Sequence, residues 1–420
     1  MRRNAVLFVL ISLLSGFGST IMTLAAGIWV LDLTGSVSLA ALTAICIYAP
    51  TFAAPWLGAL VDRVPRRPLV IGVDLGLGLL LLTLLAVRSA PAAWLIFAVL
   101  LARGASYVLI EAGESAIMPS ALPASMLGDV NGWRSSAQEG TKLIAPLAGA
   151  TLYAWHGPTA VILLGAAMPL LTAACYAAVK LHPAFITRPQ PTAGTPPHHS
   201  SARIEAVGGG EEGLSAVAGA GRPGLREGLR VLFSVPAVRN PVLLAAVAIG
   251  GSGLKDAAVL AHLVHDLHLP ATHLGFLGTA QGAGSIVGGL IVGRVLARRS
   301  TITVAAIGAV VFAAGCVSQA LPWFPAMVAG SVVIGVGLPW TLIAAVTAVQ
   351  TLTPDHLLGR VAATSNTVMF GPVALGIPLG AAAIHIGAVV PLVVAAAASA
   401  AAAVAAVRAA RVPQPASTPT

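Results

Sequence analysis

Charged side chains are scarce in this chain. Aspartate, glutamate, lysine and arginine make up 9% of its 420 residues, against about 25% in an ordinary soluble domain. So few charges cannot cover a water-facing surface, which excludes a soluble globular protein. Aromatic residues are also sparse, at 5%. Sites that stack sugar rings need more of them. Only Cys46, Cys175 and Cys316 are available as thiols. They lie far apart without metal-ligand spacing and fall in apolar stretches, as small packing residues do. No nucleophile–base pair, nucleotide loop or metal motif is present. An enzyme, a cofactor and a metal site are therefore not expected.

Long apolar runs are what the chain has instead. It is 57% hydrophobic, with a mean hydropathy of +0.91. A bilayer core of about 30 Å takes about 20 apolar residues per helix. The runs are continuous rather than alternating, which indicates helices and not a barrel. Six occur in the first part: residues 5–31, 38–61, 69–87, 92–111, 131–153, and a sixth ending near Lys180. Six more follow at 241–264, 273–297, 302–321, 323–349, 361–386 and 388–407. Turns are expected at residues 32–35 and 156–158. The basic start and the first run lack a small-residue cleavage site, so they are taken as the first span and not a removed signal peptide. Residues 1–180 and 241–411 are thus two six-helix bundles of an all-α integral membrane protein. Residues 181–240, rich in proline and glycine, form a cytoplasmic flexible linker. Near its end, Leu225, Leu229, Leu232 and Phe233 oppose Arg226 and Arg230, as in a short amphipathic helix on a membrane surface. The alternative is a solvated linker helix. Residues 412–420 form a disordered tail.

The formal charge of +9 does not indicate nucleic acid, because the basic residues sit at the ends of runs. With the N-terminus inside, all 23 lysines and arginines except Arg88, Arg103, Lys142 and Lys255 fall on the cytoplasmic side. Both termini are therefore expected in the cytoplasm, with the chain in the cell membrane. Trp29, Trp56, Trp94 and Trp155 sit near run ends, where tryptophan anchors to the interface.

The charged loop Gly58-Ala-Leu-Val-Asp-Arg-Val-Pro-Arg-Arg67 lies between the second and third runs. Its pattern returns 231 residues later, pairing Gly58 with Gly289, Arg63 with Arg294 and Arg67 with Arg298. The same offset pairs Pro91 with Pro322, Gly104 with Gly335, Pro123 with Pro354, Gly140 with Gly371 and Gly149 with Gly380. A duplicated membrane protein with parallel halves points to a transporter whose site lies between them.

These residues resemble the major facilitator superfamily across nearly the whole chain. The loop is similar to that family's Gly-x-Leu-x-Asp-Arg-x-Gly-Arg-Arg signature at Gly58, Leu60, Asp62, Arg63, Arg66 and Arg67, with Pro65 where glycine is usual. The resemblance implies a gating role for these residues and for Arg294, latching the halves rather than touching substrate. Gly140, Pro146 and Gly149 in the fifth span resemble an exporter-associated glycine–proline signature, with Ala145 and Ala150 at two glycine positions. Residues 31–36 and 225–230 resemble the macrolide-efflux and enterobactin-exporter branch.

Charges at membrane depth are costly and mark function by default. Arg103 in the fourth span resembles the family's proton-coupling arginine; the alternative is a structural arginine bonded to a neighbouring span's carbonyls. Glu139 and Lys142, at i and i+3, share a face with Ser135, either as a proton-exchange site or as a static ion pair. Asp256 is the corresponding acid of the second half. Lys255 beside it points about 100° away and need not pair with it. Gln281 and Asn366 are further polar candidates for the central cavity. Glu111 and Glu114, near the cytoplasmic end of the fourth span, are expected to be mouth or loop-pairing residues, and Asp74 is expected to pair with the loop arginines. His262, His265, His268 and His273 gather with Asp266 at an outer turn. Solvated histidines are preferred there to a metal site, because no single helical spacing unites them.

The expectation is a monomeric secondary transporter, exporting amphipathic small molecules in exchange for protons, embedded in the lipid bilayer. The alternatives are an importer or facilitator of a small polar metabolite with the same fold, and a non-transporting sensor or assembly protein.

Overall fold

A computed structural model describes residues 2–53, 57, 61, 63–181, 229, 230, 232–353 and 355–411. The first half holds α1 (Arg2–Thr34), α2 (Val37–Tyr48), α3 (Arg66–Leu82), α4 (Trp94–Ala121) and α5 (Ala124–Ala178). The second holds α6 (Pro236–Ala261), α7 (Leu274–Leu296), α8 (Thr301–Gln319), α9 (Phe324–Leu352), α10 (Asp355–Ala383) and α11 (Val390–Arg411). Ten apolar stretches are long enough to cross a bilayer, one of them 50 residues long. That one, within α5, breaks at Gly157, where φ is 66° and ψ −165°, so α5 crosses twice. Only glycine adopts this backbone readily, and Pro158 then restarts the helix. The shorter α2 supplies the remaining span and gives the fold its twelve. The other expected turn forms at Gly35, whose φ of 67° caps α1 by donating its N–H to the Leu31 carbonyl at 2.7 Å.

The internal repeat is carried into the packing. α1 lies along α5 and, in the second half, α6 lies along α10. Gly104 backs onto α2, where a Cβ would sit 2.6 Å from the Ile47 carbonyl oxygen, and its counterpart Gly335 backs onto Gln281 of α7. Gly149 packs against Ile21, and its counterpart Gly380 against Leu254. In each pair a glycine permits close helix approach at the same place in both halves.

The two halves close at one end. A core of Ile21, Trp29, Tyr153 and Val161 from the first half takes in Leu260, Ala261 and Ala271 from the second. Toward the end that carries Arg2 and Arg411, the cores belong to single halves. Phe8, Ile11, Val70 and Tyr176 cluster in the first, and Val238, Val242, Val349 and Val361 in the second. The halves thus share one core at this end and keep separate cores toward the other, so any cleft between them opens at that other end.

Three expectations need correction. Trp29 is 5% exposed within the shared core, because α1 extends past it and buries it; Trp94 and Trp155 are exposed as expected. Leu232 is buried against Val238 and Val242 rather than turned to a membrane surface, because the chain there is already joining the second half. α6 begins at Pro236, inside the stretch expected to be linker. Residues 182–228 and 412–420, Trp56, Gly58 and Asp62 lie outside the described residues.

Candidate functional site: the cleft and its seam

Two seams join the halves at the closed end. In one, α5 meets α7. Pro146 has no N–H to give the Lys142 carbonyl one turn back, and α7 moves in against that carbonyl. A Cβ at Gly282 would lie 2.5 Å from the Lys142 oxygen, one at Gly278 2.8 Å from the Pro146 ring, and one at Gly275 2.9 Å from the Pro146 carbonyl. The signature residues thus divide their work. Pro146 faces the opposite half, Gly149 faces α1, and Gly140 has nothing within 4 Å of an added Cβ. In the other seam the Ser38 hydroxyl of α2 donates to the Ala381 carbonyl of α10 at 3.0 Å and lies 3.1 Å from His385 Nε2.

Glu139 and Lys142 lie where α5 turns from one contact to the other. Thr141, Ala145 and Gly149 are buried on the α1 side, Leu143 and Pro146 meet α7, and the acid and base occupy the arc between. Lys142 Nζ is 2.6 Å from Glu139 Oε1, with side chains 45% and 37% exposed. An ion pair that open, at the middle of a span, is not closed off by the helices around it. Ser135 precedes it by one turn on the same helix; its side chain is outside the described residues.

On α6, Lys255 does bond its neighbour: Nζ donates to Asp256 Oδ1 at 3.0 Å. The 100° between adjacent residues is bridged because lysine is long and its stem is buried. The lysine is 6% exposed and the aspartate 56%. The acid is thus the exposed partner on the most buried of the described spans. Arg103 reaches α1 and donates through Nη1 to the Ser19 carbonyl and the Thr23 hydroxyl, each at 3.4 Å. Its contacts match the structural alternative. Gln281 is half-buried, with its backbone against Gly335, and Asn366 is half-buried in α10.

The described part of the charged loop works within its own half. Arg67 Nε donates to the Tyr176 carbonyl at 3.1 Å and Nη2 to that of Ala177, so it caps the C-terminus of α5. Arg63 and Arg66 are exposed, as is Arg294, which bonds the Leu290 carbonyl of its own helix at 3.4 Å. With Arg67 committed to α5, Asp74 does not pair with the arginines. It is buried and accepts a hydrogen bond from the Thr172 hydroxyl at 2.7 Å. Glu114 is buried and pairs with Arg134 at 3.0 Å, the pairing alternative rather than an open mouth residue. Arg134 also donates to the Ser12 hydroxyl at 3.0 Å.

No group of three or more metal-ligating side chains occurs among the described residues. His265 and His268 are exposed, as solvated histidines should be, but His262 is buried and paired with Asp266.

The helical fold agrees with what comparison finds. The sequence matches the Major Facilitator Superfamily over residues 8–255 and 256–420. The chain belongs to that superfamily. It is 27% identical over 169 residues to Macrolide efflux protein A of Streptococcus pyogenes, a match covering 39% of this chain and 42% of that protein. The chain thus spans less than half the length of that relative. Its fold is similar to a bacterial homologue of the iron transporter ferroportin in its inward-facing state, with TM-score 0.66, 15% identity, and coverage of 97% of this chain and 98% of that one. It is also similar to the nucleoside transporter NupG, with TM-score 0.65, 12% identity, and coverage of 98% and 99%.

As a Major Facilitator Superfamily member, the chain is a multi-pass membrane protein of a transporter family. Sequence reasoning missed the Gly275, Gly278 and Gly282 seam, although its three- and four-residue spacing is that of one helix face. It also missed the Glu114–Arg134 pair, whose partners lie on different helices with no local spacing to link them.

Proposed function

We propose that this superfamily member exports amphipathic small molecules from the cell, with protons returning in exchange. The single observation that carries the reading is the Glu139–Lys142 pair, open to the cleft at mid-span. Likeness to a macrolide efflux protein supports the direction. With both termini in the cytoplasm, the closed end faces outward and the cleft opens inward, the state that loads an export substrate. Ionised Glu139 holds Lys142; a proton on Glu139 releases the lysine and leaves the cleft more positive. That favours departure of a cationic or dipolar substrate once the halves have rocked. Asp256 with Lys255 forms the matching site across the cleft, with Ser135, Gln281 and Asn366 as polar contacts and Arg103 setting the field from α4, where it is held against α1. Gly58, Asp62, Arg63, Arg66, Arg67 and Arg294 gate the cycle at the cytoplasmic end. The two halves move as two bodies joined by the chain between Lys180 and the residues that pack onto α6 from Leu232 on, and a monomer suffices.

Glu139→Gln keeps the side-chain shape and removes the exchangeable proton. In proteoliposomes it should abolish pH-driven transport while leaving substrate binding within about fivefold, since one neutral hydrogen bond is worth about 1 kcal/mol. Coupling equal to that of the unsubstituted protein removes Glu139 from the mechanism.

A further inference from the structure

α6 ends in a π-helical turn, His262–Asp266. Such turns are rare and occur often at functional positions. This one lies at the closed end, flanked by Leu260, Ala261 and Ala271 of the shared core. His262 is 2% exposed, and both ring nitrogens face oxygen. Nδ1 is 2.6 Å from Asp266 Oδ2. Nε2 is 3.2 Å from the carbonyl oxygen of Leu321, between α8 and α9. A carbonyl oxygen only accepts, so Nε2 carries a hydrogen. Nδ1 at such a short distance from a carboxylate oxygen needs a second hydrogen between them, because two facing lone pairs repel. The pair therefore holds one proton more than a neutral imidazole and an ionised carboxylate would. Asp266, 43% exposed, connects that proton to water.

We propose that His262 and Asp266 form a proton-binding site that fastens the end of α6 to the α8–α9 connection and, when occupied, holds the closed end shut. When the proton leaves, Nδ1 and the carboxylate repel, Asp266 turns to water, and the π turn loosens. The surroundings leave this pair to set the response. His265 and His268 on the same segment are exposed. His273 stacks with Phe276 and Phe324, at centroid distances of 5.7 and 5.1 Å, and His385 in the turn after α10 faces Ser38. Across the shared core Tyr153 donates to Asp32 at 2.7 Å, so that acid is already partnered within the first half. Lys255 and Asp256 lie about two turns back along α6 and pair with each other. The adjoining ends of α8 and α9 and the start of α11 carry no ionisable side chain other than the Cys316 thiol. The site does not depend on the role proposed for Glu139, and its test reads local opening rather than transport.

The test is hydrogen–deuterium exchange on the full chain in lipid nanodiscs at about pH 5.5 and about pH 8.5, on either side of the ordinary histidine range. Rates over residues 262–269 are corrected for the intrinsic effect of pH. The unsubstituted protein should open about tenfold more readily at the higher pH, the equivalent of about 1.4 kcal/mol. Asp266→Asn supplies an amide N–H to the unprotonated Nδ1 while Nε2 still bonds Leu321, so it should stay closed at both values. His262→Gln cannot serve both acceptors and should open at both. Opening of the unsubstituted protein that ignores pH overturns the site. So does an Asp266→Asn protein that opens at both values, or one that keeps the original pH dependence.

Discussion

Arg134 is joined to Glu114, Ser12 and Asn131, and through them it ties α1, α4 and α5 together inside the first half. Its place near the start of the fifth run gave no hint in the sequence of which helices it would join. Charge and hydropathy along a chain locate the end of a helix, but which groups meet there depends on how helices rotate against one another. The same limit applies to Asp74, which sits seven residues from Arg67 on one helix yet bonds Thr172 on another. Candidates paired along one helix, such as Glu139 with Lys142, were legible because three-residue spacing fixes a shared face. Removing Arg134 leaves the Glu114 carboxylate buried without its cation, which costs about 3–5 kcal/mol. Arg134→Met should therefore lower the thermal unfolding temperature in detergent markedly. The double variant Glu114→Met, Arg134→Met should recover most of the loss, and a double variant no better than the single would count against a desolvated pair.

Among the elements, α5 and α7 decide how the halves meet. Their apolar runs were legible as helices from hydropathy alone, and the Gly157 break from its Gly-Pro step. The seam was not, because 45 glycines in the chain make a glycine stripe on one face unremarkable in composition. Only the structure distinguishes Gly282, pressed against the Lys142 backbone, from Gly289, which has open space around it. Both lie on α7, so a propensity effect would treat them alike. Gly282→Val should wedge the seam apart, shift the protein away from the closed-end state and cut transport at least tenfold. Gly289→Val should leave transport within about twofold, the two being neighbours with equal helix propensity cost. Uptake or efflux assayed side by side with matched expression decides it, and equal losses would remove the seam from the gating account.

At the scale of the whole molecule, the duplication was the most legible feature. An offset of 231 residues joined loops, prolines and glycines in the sequence, and the same offset joins Gly104 with Gly335 and Gly149 with Gly380 in their packing. Which end of the cleft is closed could not be read, because both ends of such a protein are built to open and close with the same residues. The central claim is that the halves rock about the cleft to exchange protons for an exported amphipath. The most direct measurement uses inverted membrane vesicles with an acidic lumen, loaded from outside with a panel of macrolides and amphipathic dyes. At least one compound should accumulate in the lumen above its outside concentration, and collapsing the pH gradient should release it. Accumulation that survives the collapse, or compounds that only ever equilibrate or leave the lumen, would contradict the account.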